Sequence, residues 1–171
     1  MKEKGKKVPA CVDEIILCFP ENFSAYESFV YLRRLKIAYR TVKDVLGLTV
    51  LGVTRKGGTK KTVIARKFIC RMMTMKHPSA GVILLGSSVY RDHSTIVHYR
   101  KYELGKAYNV YYSKTLPSLE GRFNNIMSLE DFDYFDDGRT YTFQDFENLA
   151  AKFFGAHLVV RRGRRARRRI L

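Results

Sequence analysis

Residues 90–101, with the sequence YRDHSTIVHYRK, constrain the fold more than any other part of this chain. Asp92 is a good N-cap, because its carboxylate can accept hydrogen bonds from the free N–H groups of a helix's first turn. Ile96 and Val97 follow as apolar residues that can face a core, while His98 lies on the outward face. The pattern therefore predicts a short capped helix that packs on one side and is polar on the other.

The start of this predicted helix is rich in side chains that form hydrogen bonds, namely His93, Ser94 and Thr95. In a helix-turn-helix, the first residues of the second helix reach base edges in the major groove of DNA. Arg100 and Lys101 extend the positive charge at the other end of the segment. The segment is therefore interpreted as a recognition helix.

Residues 91–101 resemble the signature of the C-terminal DNA-binding domain of the DnaA family, the bacterial chromosomal replication initiators. In that family Arg-Asp-His-Thr-Thr-Val is followed shortly by Arg-Lys. Residues 54–56 resemble its basic loop, residues 65–73 its Ala-Arg-x-x-Ala-Met helix, and residues 79–86 the short helix before the turn. The resemblance extends over roughly residues 30–126.

The resemblance implies a mainly α helix-turn-helix bundle that stands without ATPase domains and carries a small C-terminal appendage. By comparison with the family, the DNA-contacting positions are Arg66, Asp92, His93, Ser94, Thr95 and His98. The basic residues around them are expected to take part as well: Arg55, Lys56, Lys60, Lys61, Lys67 and Arg91. The family has Gly-Gly before Arg-Asp-His where this chain has Val89-Tyr90, so we expect residues 86–88 to form the turn.

The charge distribution favours a polyanionic partner independently of this resemblance. The net charge is +16, and residues 45–91 contain nine Lys or Arg residues and no Asp or Glu. Such a segment would displace counterions from phosphates and make binding depend on salt. The alternative is a basic surface that is merely solvated.

Further helices are predicted from caps and periodic apolar residues. Residues 24–27 have capping-box spacing, and apolar residues then recur every three or four positions up to Gly47, which predicts one long helix. Thr62 is predicted to cap the next helix and Ser79 a short one, and Pro117 is expected to end the helix that follows the recognition helix.

Four regions are expected. They are a basic N-terminal segment (1–23), the DNA-binding domain (24–127), an acidic and aromatic appendage with one amphipathic helix (128–157), and an arginine-rich tail (158–171). Residues 120–148 hold eight of the sixteen acids, which places the boundary near Ser128. The amphipathic helix either packs on the bundle or binds a protein partner. The tail, with seven arginines in residues 161–169, is expected to be disordered until it meets phosphate.

Enzymatic and metal chemistry are not expected. Residues 52–62 lack the lysine that a phosphate-binding loop requires, since Gly58 stands at its position. His93 and His98 have poor spacing for a shared metal on a helix, and the acids at 131–137 are expected to lie within one loop, where they do not converge from separate elements. We therefore predict no catalytic residue, metal site or cofactor. No run is long enough for a membrane span, and the three cysteines fit reduced thiols in a cytoplasm. The resemblance to the DnaA family implies in addition a prokaryotic or phage-encoded protein associated with the nucleoid.

The predicted function is sequence-specific binding of double-stranded DNA, in replication initiation, its regulation, or transcription control. Two alternatives remain open. One is a nonspecific nucleic-acid-binding protein in which the basic surface and the arginine tail dominate. The other is the DNA-targeting part of a recombinase-type enzyme, with the acids at 131–137 contributing carboxylates.

Overall fold

Six helices and two short strands make up the part of the chain that the structure describes, which confirms the expectation of a mainly α fold. The computed structural model describes residues 14–55, 57–101, 106–135 and 157–162, together with Gln144 and Asn148. In chain order the elements are β1 (Glu14–Phe19), α1 (Ala25–Leu46), α2 (Val50–Thr54), α3 (Lys60–Lys76), α4 (Gly81–Val89), α5 (His93–Lys101), α6 (Lys106–Phe135) and β2 (His157–Arg162). None of the described helices is long and apolar enough to cross a membrane.

The predicted long helix corresponds to α1, and both of its predicted ends are confirmed. The backbone N–H of Glu27 donates to Ser24 Oγ at 3.1 Å, and the N–H of Ser24 donates to Glu27 Oε2 at 3.2 Å, which completes the capping box. Gly47 ends the helix in the left-handed region with φ of 70°. The apolar residues that recur along α1 are buried in the core: Phe29, Leu32, Leu35, Tyr39, Val42 and Leu46.

The start of α3 lies three residues earlier than predicted. The N-cap is Thr59, whose Oγ1 accepts from the backbone N–H of Thr62 at 3.3 Å, so the expected cap at Thr62 is wrong. Thr62 is instead buried in the first turn, and its hydroxyl donates to the carbonyl of Thr59. Both threonines have a hydroxyl suited to capping, and only the packed position of Thr62 separates them. The predicted apolar stripe of α3 is buried: Ala65, Phe68, Ile69, Met72 and Met73.

The connection between α4 and α5 differs from the one predicted. Residues 86–88 do not form a turn but complete α4, where they are buried. The turn consists of residues 90–92, and Tyr90 adopts the left-handed region with φ of 55°. The expected cap at Ser79 is also wrong, because Ala80 precedes α4 without a side-chain cap.

Ser87 and Ser88 can lie buried in α4 because their hydroxyls are hydrogen-bonded. Both donate to the carbonyl of Leu84, at 2.8 Å and 2.7 Å. Ser87 Oγ also accepts from the backbone N–H of Cys18 in β1, and Ser88 Oγ lies 2.7 Å from the buried hydroxyl of Tyr31 in α1. Polar groups that look like turn formers in the sequence thus fix the end of α4 against β1 and α1.

Helix α6 continues through Pro117, which was expected to end it. An internal proline costs roughly 3 kcal/mol, whereas burying one large apolar side chain contributes about 1.5–3 kcal/mol. Leu119, Phe123 and Ile126 follow the proline and are buried, with α6 packed on α1 and α3. Burial therefore outweighs the proline, and the helix also crosses the position near Ser128 where a domain boundary is predicted. Helix α6 includes Asp131 and Asp133, so the prediction that these two acids lie in a loop is wrong.

The N-terminal segment and the start of the tail form a parallel pair of strands. β1 pairs with β2 from Glu14 opposite His157 to Phe19 opposite Arg162. Leu17 and Phe19 of β1 belong to the core, so the described part of this segment packs with the helices. The tail, expected to be disordered, has its first two arginines, Arg161 and Arg162, in β2.

Several expectations fall outside the described residues: most of the predicted amphipathic C-terminal helix, the tail beyond Arg162, and Asp136 and Asp137. Within the first of these, Gln144 and Asn148 are helical, and Gln144 Nε2 donates to Asn148 Oδ1 at 3.1 Å.

Candidate nucleic-acid interface

The first turn of α5 is capped as the sequence predicts. Asp92 Oδ1 accepts from the backbone N–H of Thr95 at 3.0 Å and also accepts from the hydroxyl of Ser94. The hydroxyl of Ser94, and next the N–H of Thr95, hold the pKa of Asp92 below its ordinary value. Asp92 is therefore an ionised cap, a role that orients the side chains after it.

The two sides of α5 differ sharply in exposure. Ile96 is fully buried, as predicted, whereas Val97 is 47% exposed, so the prediction that both face inward is wrong for Val97. Successive helix residues point about 100° apart, and one turn of helix therefore cannot bury both. Ser94 and His98 are exposed with Val97, while His93 and Thr95 are half-buried. The open side of α5 thus combines a hydroxyl, an imidazole and one apolar side chain.

Exposed basic side chains lie on the segment that links α2 to α3 and on the first turn of α3. Arg55, Lys60 and Lys61 are exposed, and Lys56 lies outside the described residues. The first turn of α3 carries these two lysines and no acidic residue. Cations at the positive end of a helix dipole are unfavourable by a few tenths of a kcal/mol, a cost that a bound anion would offset.

Lys67 lies farther along α3 and faces α5. It is half-buried, and its Nζ lies 5.3 Å from the centroid of the Tyr99 ring. This is a cation–π contact between the two helices, and burial lowers the pKa of Lys67. Tyr99 was not among the predicted site residues. Its position three residues after Ile96 could have placed it on the packed face of α5.

Arg66, expected to contact DNA, is only 2% exposed. Its Nε donates to the carbonyl of Val53 at 2.7 Å, and its Nη2 donates to the carbonyls of Arg55 at 3.0 Å and Gly57 at 2.8 Å. The guanidinium therefore binds the backbone of this chain. This placement does not favour a direct contact with a partner.

Arg91, also expected to contact DNA, is half-buried and binds the same segment from the other side. Its Nη1 donates to the carbonyls of Thr54 at 3.1 Å and Tyr90 at 2.7 Å. Its Nη2 donates to the carbonyls of Arg55 at 2.5 Å and Gly57 at 3.2 Å. Burial, and next the charge of Arg66, lower the pKa of Arg91.

The close approach of α4 and α5 depends on Gly86. A Cβ atom at this position would lie 2.6 Å from the carbonyl oxygen of Arg91 and 3.5 Å from Ile96 Cγ1. The backbone N–H of Arg91 donates to the carbonyl of Gly86 at 2.8 Å, which closes the turn. A side chain at residue 86 would therefore force the turn away from α4.

Of the expected contact residues, the structure brings together Ser94 and His98 on the open side of α5, with His93 and Thr95 half-buried beside them and Asp92 as the cap. The segment with Arg55 lies next to the start of α5 because Arg91 binds its carbonyls. Among the described residues, no group of three or more His, Cys, Asp or Glu side chains could hold a metal ion.

Comparison with known proteins yields no relative: no family model, curated protein or solved structure matches this chain.

Proposed function

We propose that this chain binds double-stranded DNA with base preference, and that α4 and α5 act as a helix-turn-helix with α5 in the major groove. The proposal follows the resemblance of residues 91–101 to the DnaA family's DNA-binding domain. In this proposal the protein has no catalytic role of its own. It acts at a replication origin or a promoter of a bacterial or phage genome.

One observation carries the proposal: the capped first turn of α5 leaves Ser94, Val97 and His98 exposed while Ile96 anchors the helix. Side chains that discriminate bases must be solvent-accessible and held in a fixed orientation before binding. The carboxylate cap at Asp92 and the tight contact at Gly86 supply that orientation.

The electrostatics also support it. Arg55, Lys60 and Lys61 are exposed on a stretch of sequence with no acid between residues 45 and 91. Basic side chains of this kind bind phosphates and fix the register of a protein on the duplex, whereas the helix selects the bases. The two roles fall on different elements here, α5 for bases and the start of α3 for phosphates.

The test is selection of DNA fragments from a random pool by the purified protein, followed by competition titration at fixed salt. We expect the selected duplex to compete at least about 1,000-fold better than random duplex, the lower end of typical specificity ratios. Equal competition by random duplex would refute base preference and support nonspecific binding.

Two variants assign the roles. His98→Ala should reduce the ratio between selected and random duplex, because an exposed imidazole on α5 would contact base edges. Lys60→Ala should weaken both duplexes alike and lower the slope of log affinity against log salt by about 0.9. Lys76→Ala is the matched control for Lys60→Ala, because this exposed lysine lies at the opposite end of α3, roughly 24 Å away at the helical rise. It should leave both measurements unchanged.

A further inference from the structure

The carbonyl groups between Val53 and Gly57 converge on two arginines that come from different elements. Arg66 in α3 and Arg91 in the α4–α5 turn both donate to the carbonyls of Arg55 and Gly57. Arg66 adds the carbonyl of Val53, and Arg91 adds that of Thr54. This stretch of backbone is thus held simultaneously by the helix that follows it and by the turn that leads into α5.

The hydrogen-bond donors on the two Nη nitrogens of Arg91 are already used within the chain. Each Nη nitrogen carries two hydrogens, and both Nη1 and Nη2 have two carbonyl acceptors. A bidentate contact with a phosphate would require some of these hydrogen bonds to break. The structure therefore favours a role within the chain over the phosphate contact that its position in the sequence suggests.

We infer that Arg91 is a positioning residue for DNA binding. With Arg66, it fixes the backbone at Val53, Thr54, Arg55 and Gly57 against the start of α5, so that Arg55 meets the backbone of the duplex in register with the bases that α5 contacts. This inference rests on the proposed function. It adds that the basic segment and the recognition helix bind as one rigid surface, and that the connection between them is a shared set of carbonyl groups.

Arginine is required for this role and lysine cannot replace it. The planar guanidinium donates in several fixed directions at once, whereas a lysine ammonium is a compact charge on a flexible stem. A phosphate contact is less demanding, because lysine also binds phosphate well, as a point charge. The pair of variants Arg91→Lys and Arg91→Ala therefore separates the two roles.

The experiment measures the affinity of full-length variants for the selected duplex at fixed salt. We expect Arg91→Lys to lose about five- to tenfold in affinity, nearly as much as Arg91→Ala, because a displaced Arg55 would lose roughly one hydrogen bond to phosphate. Arg91→Lys keeps the charge and the stem, so it remains informative if Arg91→Ala unfolds. Wild-type affinity in Arg91→Lys would overturn the inference.

A double-mutant cycle with Arg55→Ala tests the connection itself. If Arg91 positions Arg55, then Arg55→Ala should cost clearly less affinity in the Arg91→Lys background than in the wild type. Equal cost in both backgrounds would overturn the inference, because a general loss of stability does not change the contribution of one surface arginine. Failure of the proposed function is distinguishable, since the wild type itself would then not prefer the selected duplex over random duplex.

Discussion

Replacing Gly86 with alanine should destabilise the protein, although the sequence alone suggests the reverse. Gly86 lies inside α4, and alanine is favoured over glycine in helices by about 1 kcal/mol. In the structure, however, the new Cβ would lie 2.6 Å from the carbonyl oxygen of Arg91. That atom belongs to the backbone of the turn and cannot move away alone, as the end of a flexible side chain could.

The magnitude follows from three contributions. Inserting one methyl group into a tightly packed site typically costs about 1–3 kcal/mol. If the turn moves, the hydrogen bond from the N–H of Arg91 to the carbonyl of Gly86, 2.8 Å long, is weakened, which costs about 1 kcal/mol. The helix propensity of alanine offsets about 1 kcal/mol of this. We therefore expect a net loss of about 1–3 kcal/mol in the free energy of unfolding.

The assay is urea denaturation of Gly86→Ala followed by far-UV circular dichroism, with Gly121→Ala as the matched control. Gly121 also lies inside a helix, α6, but a Cβ there meets nothing within 4 Å. The same chemical change should therefore raise the free energy of unfolding by up to about 1 kcal/mol at Gly121. If both variants are more stable than the wild type, the close approach of α4 and the α5 turn is refuted.

Three further predictions concern pH, base contact and the tail. Burial, and next the charge of Arg34, lower the pKa of His77 to about 4 from 6.5, so the unfolded chain binds the proton first and stability falls as the pH drops from 6.5 towards 4. After halving for partial solvent exposure, the free energy of unfolding should fall by about 2 kcal/mol over this pH range. His77→Gln should flatten the dependence of the free energy of unfolding on pH, measured by urea titrations at several pH values. An unchanged dependence would contradict the assignment to His77. The exposed Val97 is the apolar group of α5 that can contact a thymine methyl, so exchanging thymine for uracil in the selected duplex should lower affinity less in Val97→Ser than in the wild type. An equal loss in the variant would assign that contact to another residue. Deleting residues 163–171 should lower the salt slope without reordering preferred DNA sequences, and an altered order in competition titrations would mean that the tail itself selects bases.

The ends of several elements were predictable because capping chemistry is local. The capping box of Ser24 and Glu27, the glycine stop at Gly47 and the cap at Asp92 each involve residues within four positions of one another. The apolar spacing of α1 and α3 is likewise local, because it needs only the helical period to place residues on one face. Local patterns in the sequence were therefore enough to locate α1, α3 and α5 and most of the basic charge.

Which side chains are buried or hydrogen-bonded depends on residues that are distant in the sequence, and these contacts appear only in the folded chain. Val97 and Ile96 are equally apolar, and only the packing of α5 on α4 determined that one is buried and the other exposed. Arginine side chains commonly bind phosphate, but the guanidinium groups of Arg66 and Arg91 are engaged by backbone carbonyls of this chain, those of Val53, Thr54, Arg55 and Gly57.

The same reason applies to the strand pair and to α6. β1 and β2 come from opposite ends of the chain, and no local pattern specifies a partner so far away in sequence. Pro117 is a helix breaker by its own chemistry, yet the apolar residues after it are buried against α1 and α3, which keeps α6 continuous. Local chemistry determined the positions of α1, α3 and α5 and the caps at Ser24, Gly47 and Asp92, whereas burial and hydrogen bonding between distant segments determined which side chains remain available to a partner.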